Sequence, residues 1–182
     1  EDGISEIISE LFRGTGINKI DLPSSVTRIG SAAFANSDLT TINLPSSLSE
    51  IQDFAFANTK LKEITIPDSV EKIGYGAFDS VETLDKVTLP ANLKEISSKT
   101  FYKTNIAKIT IPESVSSIGG IAFADTPLQS ITLPNNLISI GQNAFSGTQL
   151  TNITLPSKLK TLETEAFGEI ATLVSVNIPL SL

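Results

Sequence analysis

The segment LQSITLPNNLISIGQNAF, residues 128–145, contains the pattern that decides the fold. Its apolar residues and its proline recur along the chain as L-x-x-I-x-L-P-x-x-L-x-x-I-x-x-x-A-F. The recurring residues are Pro23, Pro45, Pro67, Pro90, Pro112, Pro134, Pro156 and Pro179, with Phe12, Phe34, Phe56, Phe78, Phe101, Phe123, Phe145 and Phe167. Both series advance by 22 residues, or by 23 where one residue is inserted. Such self-similarity predicts a single solenoid domain of about eight coils over residues 1–182.

Each part of the repeat predicts a different local structure. Alternating apolar and polar residues before the proline, as in residues 131–133, predict one short strand per coil and a parallel inner sheet. The proline ends the strand because it cannot donate a hydrogen bond. A second apolar pair, such as Leu137 and Ile140, predicts a short second strand, and Ala144-Phe145 predicts a helical or 3₁₀ turn on the outer side with a phenylalanine stacked in every coil. The predicted fold class is an α/β-type leucine-rich repeat solenoid.

The pattern resembles the BspA-like subfamily of bacterial leucine-rich repeats over nearly the whole chain. It differs from the general leucine-rich pattern in having proline, as at Pro134, close to the place where Asn or Cys forms an internal ladder. The resemblance implies a cell-surface or secreted protein of a host-associated microbe, and several such proteins look like adhesins for host matrix proteins. It implies neither an enzyme nor a fixed set of functional residues.

The first coil, residues 1–16, is predicted to cap the solenoid, and residues 17–182 are predicted to form the repeats, with an incomplete last coil. The apolar residues of the first coil have the spacing of an amphipathic helix: Ile4, Ile7, Ile8, Leu11 and Phe12. Asp2 suits the N-cap of such a helix, so a helical turn or two is expected there. The same residues also fit the repeat, with Ile7 under Ile29.

Composition excludes several classes of function. The 182 residues include no His and no Cys, which removes thiol nucleophiles, disulfides and the usual zinc ligands. The net charge of −7 and the dispersed 13 Lys and Arg disfavour nucleic acid. The sequence contains no run of about 18 apolar residues, so we expect no direct membrane insertion. Glu163 and Glu165 have no partner base in the sequence, so we expect no enzyme, no cofactor and no metal site.

The side chains that flank the buried strand residues point out of the predicted inner sheet in two columns. In repeat proteins such a sheet is the usual binding surface, because backbone pairing makes it rigid while its outward residues vary. The candidate binding residues are Glu63, Thr65, Lys86, Thr88, Lys108, Thr110, Ser130, Thr132, Asn152 and Thr154.

Two further features are candidates for contact with a partner. Residues 109–157 contain no Lys or Arg. Within them Ile121 and Ile138 lie in columns whose residues in the other coils are mostly small, polar or charged. These two residues suggest a secondary apolar patch. A third set consists of the aromatic residues outside the core column, which are suited to stacking on sugar rings: Phe54, Tyr75 and Tyr102.

These features favour a non-enzymatic cell-surface or secreted module for adhesion or protein binding. Its rigid inner sheet would meet a host or partner protein, such as an extracellular-matrix protein. A structural spacer in a larger surface protein and a carbohydrate-binding module that contacts polysaccharide are the alternatives. The chain starts at Glu1 without Met or a signal segment, so it is interpreted as a mature product or a fragment. A location outside the cell or at its surface is what the family resemblance implies.

Overall fold

The computed structural model describes residues 3–182, which stack as eight coils of a β-solenoid. Most coils contain two short strands, called here the first and the second strand, followed by a turn segment centred on the repeated phenylalanine. The strands are β1 (Glu6–Ile7), β2 (Lys19–Asp21), β3 (Arg28–Ile29), β4 (Thr41–Asn43), β5 (Glu50–Ile51), β6 (Glu63–Thr65), β7 (Lys72–Ile73), β8 (Lys86–Thr88), β9 (Glu95–Ile96), β10 (Ser117–Ile118), β11 (Ser139–Ile140), β12 (Asn152–Thr154), β13 (Thr161–Leu162) and β14 (Ser175–Asn177).

The first strands pair in parallel, as the sequence predicts, but they do so in separate pairs. These pairs are β2–β4, β6–β8 and β12–β14. Between β8 and β12 two coils have no first strand, and only an isolated parallel bridge joins Lys108 to Ser130. The inner sheet is therefore open in the middle of the solenoid.

The second strands form two parallel sheets of four, in the orders β1-β3-β5-β7 and β9-β10-β11-β13. The break between β7 and β9 coincides with an inserted residue, since Phe78 to Leu84 is one residue longer than Phe56 to Leu61. At the break the hydroxyl of Ser97 donates to the carbonyl of Ile73 at 2.6 Å. At the equivalent position of most other coils a backbone N–H makes the bond, as when Gly74 N–H donates to the carbonyl of Ile51. At the break, therefore, a side-chain hydroxyl replaces a backbone donor.

The prediction of helical or 3₁₀ turns is wrong, because none of residues 3–182 lies in a helix. In the turn segment the backbone donors alternate: Phe34 N–H donates to Ala55 O in the next coil at 2.8 Å, and Ala35 N–H donates to Ala32 O at 3.1 Å. A helix directs its bonds along its own axis, whereas this segment sends every second N–H to the neighbouring coil. The turn is therefore a third ladder between coils.

This alternation requires left-handed backbone at two places in every coil, two residues before and two after the stacked phenylalanine. The thirteen non-glycine residues and three glycines with positive φ occupy these places: Glu10, Gly14, Ala32, Asn36, Phe54, Asn58, Gly76, Ser80, Lys99, Lys103, Ile121, Asp125, Asn143, Gly147, Glu165 and Glu169. Left-handed backbone costs a non-glycine residue about 1–2 kcal/mol, with Asn and Asp the most tolerant. The ladder between coils offsets that cost.

The helix predicted for the first coil is also not formed in the described residues. Residues 6–7 are strand β1, in register with Arg28–Ile29, and Ile7 is buried beneath Ile29. Pairing with the next coil overrides the helical spacing of the apolar residues, and Ile4, Ile8 and Leu11 are exposed. Asp2 lies outside the described residues, and the capping role of residues 1–16 stays a prediction.

The core follows the repeat columns. The eight phenylalanines from Phe12 to Phe167 stack with ring centroids 5.3–5.6 Å apart, which confirms the predicted column. Beside it lies a column that the sequence analysis missed, in which a hydroxyl such as that of Thr59 donates to the carbonyl of Phe56 at 2.9 Å. The two lengthened coils have Val81 and Ile170 at this position instead.

Candidate binding surface

All ten predicted binding residues are exposed on the first-strand side of the solenoid. The strand period places them there, because alternate residues such as Ile64 and Ile153 point into the core. The structure therefore gives these residues one common face, in the two columns that the sequence predicts. Their role in binding stays a prediction.

Six of the ten line one groove of about 790 Å³: Lys86, Thr88, Lys108, Thr110, Ser130 and Thr132. Asp85 and Glu113 also line it, and Leu89, Ile111 and Pro112 add apolar surface. The remaining four candidates, which flank the groove on the same face, are Glu63, Thr65, Asn152 and Thr154. The predicted face thus contains a concave centre and flatter surroundings.

The groove lies where the first-strand pairing is interrupted. Residues 108–110 and 130–132 belong to none of the strands β1–β14. The backbone hydrogen bond nearest to them runs from the N–H of Gln129 to the carbonyl oxygen of Ala107, at 3.1 Å. The N–H and C=O groups of Thr110 and Thr132 make no hydrogen bond within residues 3–182. Backbone polar groups without ladder partners can bond to water or to a ligand, so the open part of the sheet adds polar contacts to the groove.

The two lysines of the groove differ in how they are held. The ammonium of Lys86 lies 3.3 Å from a carboxylate oxygen of Glu63, and both side chains are largely exposed. An exposed pair of this kind is weak and readily exchanged. Lys108 makes no ion pair within residues 3–182. The groove therefore presents one free positive charge and one that is only weakly paired.

The structure does not bring the secondary patch together in one concavity. Ile138 is 44 % exposed, whereas Ile121 is half-buried in a left-handed backbone position and lines a small concavity with Tyr75. Ile138 follows Leu137 on the approach to β11 and does not line that concavity. The prediction that these two residues act together stays untested.

The aromatic residues outside the core are arranged in two places. The rings of Phe54 and Tyr75 meet edge to face with centroids 5.2 Å apart. Tyr102 instead lies under the ammonium groups of Lys99 and Lys103, at 5.0 and 5.1 Å from its ring centroid. The contact between Phe54 and Tyr75 joins different columns of adjacent coils, so the spacing of the repeat did not predict it.

The two candidate carboxylates near the end of the chain have structural partners. Glu163 accepts a hydrogen bond from the backbone N–H of Gln142 at 2.9 Å, and Glu165 accepts one from the amide of Asn143 at 3.0 Å. Within residues 3–182 no cluster of three or more metal-ligating side chains is found, and no helix could span a membrane. These carboxylates contribute to the contacts between coils.

Comparison with known proteins identifies the family. A family model described as a BspA-type leucine-rich repeat region of six copies matches residues 5–127 and 117–182. The chain therefore belongs to the BspA-type leucine-rich repeat family. No curated protein matches this chain.

Solved structures of bacterial proteins share the fold. A leucine-rich repeat protein from Bacteroides ovatus is 30 % identical with a TM-score of 0.79, over 89 % of this chain and 49 % of its own. A leucine-rich cell surface protein from Faecalibacterium prausnitzii is 25 % identical with a TM-score of 0.59, over 91 % and 55 %. The pneumococcal vaccine antigen PcpA, 19 % identical with a TM-score of 0.52 over 98 % and 68 %, shares the fold alone. The chain spans about half the length of the first two proteins.

Proposed function

We propose that this member of the BspA-type leucine-rich repeat family is a non-enzymatic binding module of a cell-surface or secreted protein. Its groove would hold a segment of a host or partner protein. The family commonly serves in protein interactions, and the similar F. prausnitzii protein is described as a cell surface protein. The observation that carries the proposal is the groove of about 790 Å³ on the open part of the inner sheet.

The charges of the groove indicate the chemistry of the partner segment. The carboxylates of Asp85 and Glu113 also line the groove, and Glu113 already accepts a hydrogen bond from the backbone N–H of Asn135. Lys108 is free and Lys86 is weakly paired, so carboxylates placed opposite these two lysines would find cations on neighbouring coils. The hydroxyls of Thr88, Thr110 and Thr132 can donate or accept hydrogen bonds with an extended backbone. A partner segment of acidic and polar residues would therefore complement this surface.

Rigidity is the mechanism by which such a surface gains affinity. The phenylalanine stack and the ladders between coils hold the groove before the partner arrives, so little ordering entropy is lost on binding. Carboxylates opposite the lysines would also speed the encounter at low salt. Binding is then expected to weaken as ionic strength rises.

The test measures binding of the immobilised domain to a panel of extracellular-matrix proteins, with the double variant Lys86→Glu/Lys108→Glu beside the parent. We expect the variant to lose binding to the parent's partner by about tenfold or more, since two attractive charges become repulsive. Circular dichroism and the unfolding midpoint check that the variant is folded.

A matched control changes the net charge by the same amount at another surface. Lys94→Glu/Lys160→Glu alters two exposed lysines outside the groove, next to second strands β9 and β13. The proposal requires this control to bind like the parent. An equal loss in both variants would show that net charge rather than the groove matters, and unchanged binding in the groove variant would overturn the groove as the contact surface. A parent that binds no member of the panel would favour a spacer.

A further inference from the structure

A second concavity lies at the corner between the second strands and the turn segments, and it shares no lining residue with the groove. Its volume is about 210 Å³, below the ~300–1,000 Å³ of pockets for drug-sized ligands. The lining residues are Tyr75, Ser98, Lys99, Gly120, Ile121, Gln142 and Asn143. The space is therefore of a size for one ring.

Tyr75 forms the aromatic wall of this concavity and is held in place on two sides. Tyr75 is 41 % exposed, its ring meets that of Phe54 edge to face, and its backbone N–H donates to a carboxylate oxygen of Asp53 at 2.8 Å. Gly76 makes room for that packing, because a Cβ there would lie 2.7 Å from the Phe54 ring. The accessible part of the phenol ring is thus presented in a fixed position.

The floor beside Tyr75 consists of small residues on the next two coils. Ser98 and Gly120 occupy the same repeat position as Tyr75, and the hydroxyl of Ser98 accepts a hydrogen bond from Gly120 N–H at 3.1 Å. Any side chain at Gly120 would place its Cβ 3.1 Å from the carbonyl oxygen of Gln142. The small side chain of Ser98 and the absence of one at Gly120 leave an open space between Tyr75 and Gln142.

The far wall supplies uncommitted polar groups. The side-chain amide of Gln142 makes no hydrogen bond within residues 3–182, although its backbone N–H is bonded to Glu163. The side-chain nitrogen of Asn143 donates to Glu165, which leaves its side-chain oxygen free to accept a hydrogen bond. Ile121 adds apolar surface between the polar groups. The wall can therefore exchange hydrogen bonds with a ring that carries hydroxyl groups.

We propose that this corner is a binding site for one pyranose ring of a neutral oligosaccharide. The apolar C–H face of the sugar would lie on Tyr75, and its hydroxyls would bond to the amides of Gln142 and Asn143. The ligand is neutral because the one cation of the site, Lys99, is already 3.3 Å from a carboxylate oxygen of Asp79. Residues 109–157 contribute only two charged groups, Glu113 and Asp125, and neither lines the concavity.

The neighbouring concavity gives the saccharide room to continue. Its volume is about 490 Å³, it shares Tyr75, Ser98 and Gly120 with the first, and it extends over the hydroxyl side chains of Ser117 and Ser139. The charged side chains that also line it can hydrogen-bond to sugar hydroxyls: Asp53, Lys72, Glu95 and Glu163. A chain of sugars can therefore occupy both, with one ring against the tyrosine. An oligosaccharide is expected to bind better than its monosaccharide for this reason.

The test titrates the full chain, labelled with ¹⁵N, with maltohexaose, cellohexaose, mannohexaose and chitohexaose. We expect at least one of them to bind with a dissociation constant of about 1 mM or tighter and to shift the amide signals of Ser98, Gly120 and Ile121. Tyr75→Ala and Gln142→Ala are each expected to weaken that binding by about tenfold, and agreement between them separates a lost contact from a folding defect.

Tyr102→Ala is the matched control, because it removes a tyrosine of the next coil that lies outside the concavity. This variant and Lys86→Glu/Lys108→Glu must both retain saccharide binding, so the site is tested independently of the protein-binding groove. Absence of shifts with all four saccharides would overturn the proposal. Shifts at Ser98 and Gly120 with N-acetyl-tyrosinamide but with no saccharide would also overturn it, since the corner would then take an aromatic side chain.

Discussion

The coils up to residue 99 and the coils beyond it share one core but differ in surface charge. All six ion pairs found within residues 3–182 lie between residues 6 and 99. The first residue of each second strand shows the change: Glu6, Arg28, Glu50, Lys72, Glu95, Ser117, Ser139 and Thr161. Charges alternate in sign over the first five and give way to hydroxyls, while the apolar residue beside them persists.

This difference teaches that the columns of the core and the columns of the surface vary independently. In the earlier coils neighbouring charges of opposite sign stabilise each other. The pKa of the Arg28 guanidinium is raised above its ordinary value, chiefly by the hydrogen bond to Glu6 and next by the negative charge of Glu6. In the later coils the corresponding hydroxyls are neutral, and both proposed sites include residues of those coils. Weakly charged coils keep the fold and leave their surface free for a ligand.

The largest expected effect tests whether the two halves share one core. Phe56 in the earlier coils and Phe123 in the later coils are both fully buried and stacked on two neighbours. Phe56→Ala and Phe123→Ala are each expected to lower the free energy of unfolding by about 3–5 kcal/mol, because each leaves a cavity in the stack. Urea unfolding followed by circular dichroism measures the loss.

The end of the stack supplies the control for this prediction. Phe167 is only partly buried and is stacked on Phe145, so Phe167→Ala should cost less than either central variant. A loss below about 1 kcal/mol for Phe123→Ala, beside a full loss for Phe56→Ala, would show that the later coils are not held by the same column.

A smaller effect concerns the left-handed positions after each phenylalanine. The earlier coils have tolerant residues there, such as Asn58 (φ 54°), whereas the later coils include Glu169 (φ 53°). Glu169→Asn is expected to raise the free energy of unfolding by about 0.5–1 kcal/mol, and Asn58→Glu to lower it by a similar amount, because Asn adopts this backbone at less cost. Both residues are exposed, and chemical unfolding measures the two shifts. Shifts of the same sign would contradict this explanation.

The smallest effect concerns the alternating charges themselves. Lys72→Glu removes the pair with Glu50, now at 3.5 Å, and places a carboxylate between Glu50 and Glu95. We expect a loss of about 0.5 kcal/mol that shrinks in ~0.5 M NaCl, because Lys72 is exposed and Glu50 is half-buried, so salt screens much of their interaction. Ser139→Glu, between two hydroxyl neighbours, should cost less. Equal and salt-independent losses in both variants would show that the alternation contributes nothing.

Much of the fold could be predicted because a 22-residue period assigns each residue to a column. The period alone predicted the phenylalanine stack, the exposed strand columns and the buried partners such as Ile64. It could not show that the donors of the turn point to the next coil, so a helical turn was expected around Phe34. Recurrent Asn36 and Asn58 were the available signal, since Asn favours left-handed backbone.

The candidate site was predicted in part for the same reason. The columns of Lys86 and Lys108 follow from strand alternation, but the interruption of pairing that opens the groove depends on the spacing between coils, which no single coil encodes. The concavity at Tyr75 depends on a diagonal contact with Phe54 and on small residues two coils away. A repeat period relates residues of the same column, so it does not predict contacts between different columns of neighbouring coils.

The two lengthened coils bear on how such a protein changes size during evolution. In both, the extra residue enters between the phenylalanine and the next strand, an apolar residue replaces the buried hydroxyl, and a threonine hydroxyl, that of Thr83 or Thr172, donates to a leucine carbonyl of the preceding coil. The same accommodation occurs in both lengthened coils. Insertion at this point leaves the columns in register, so whole coils can be gained or lost by duplication and deletion without redesigning the core.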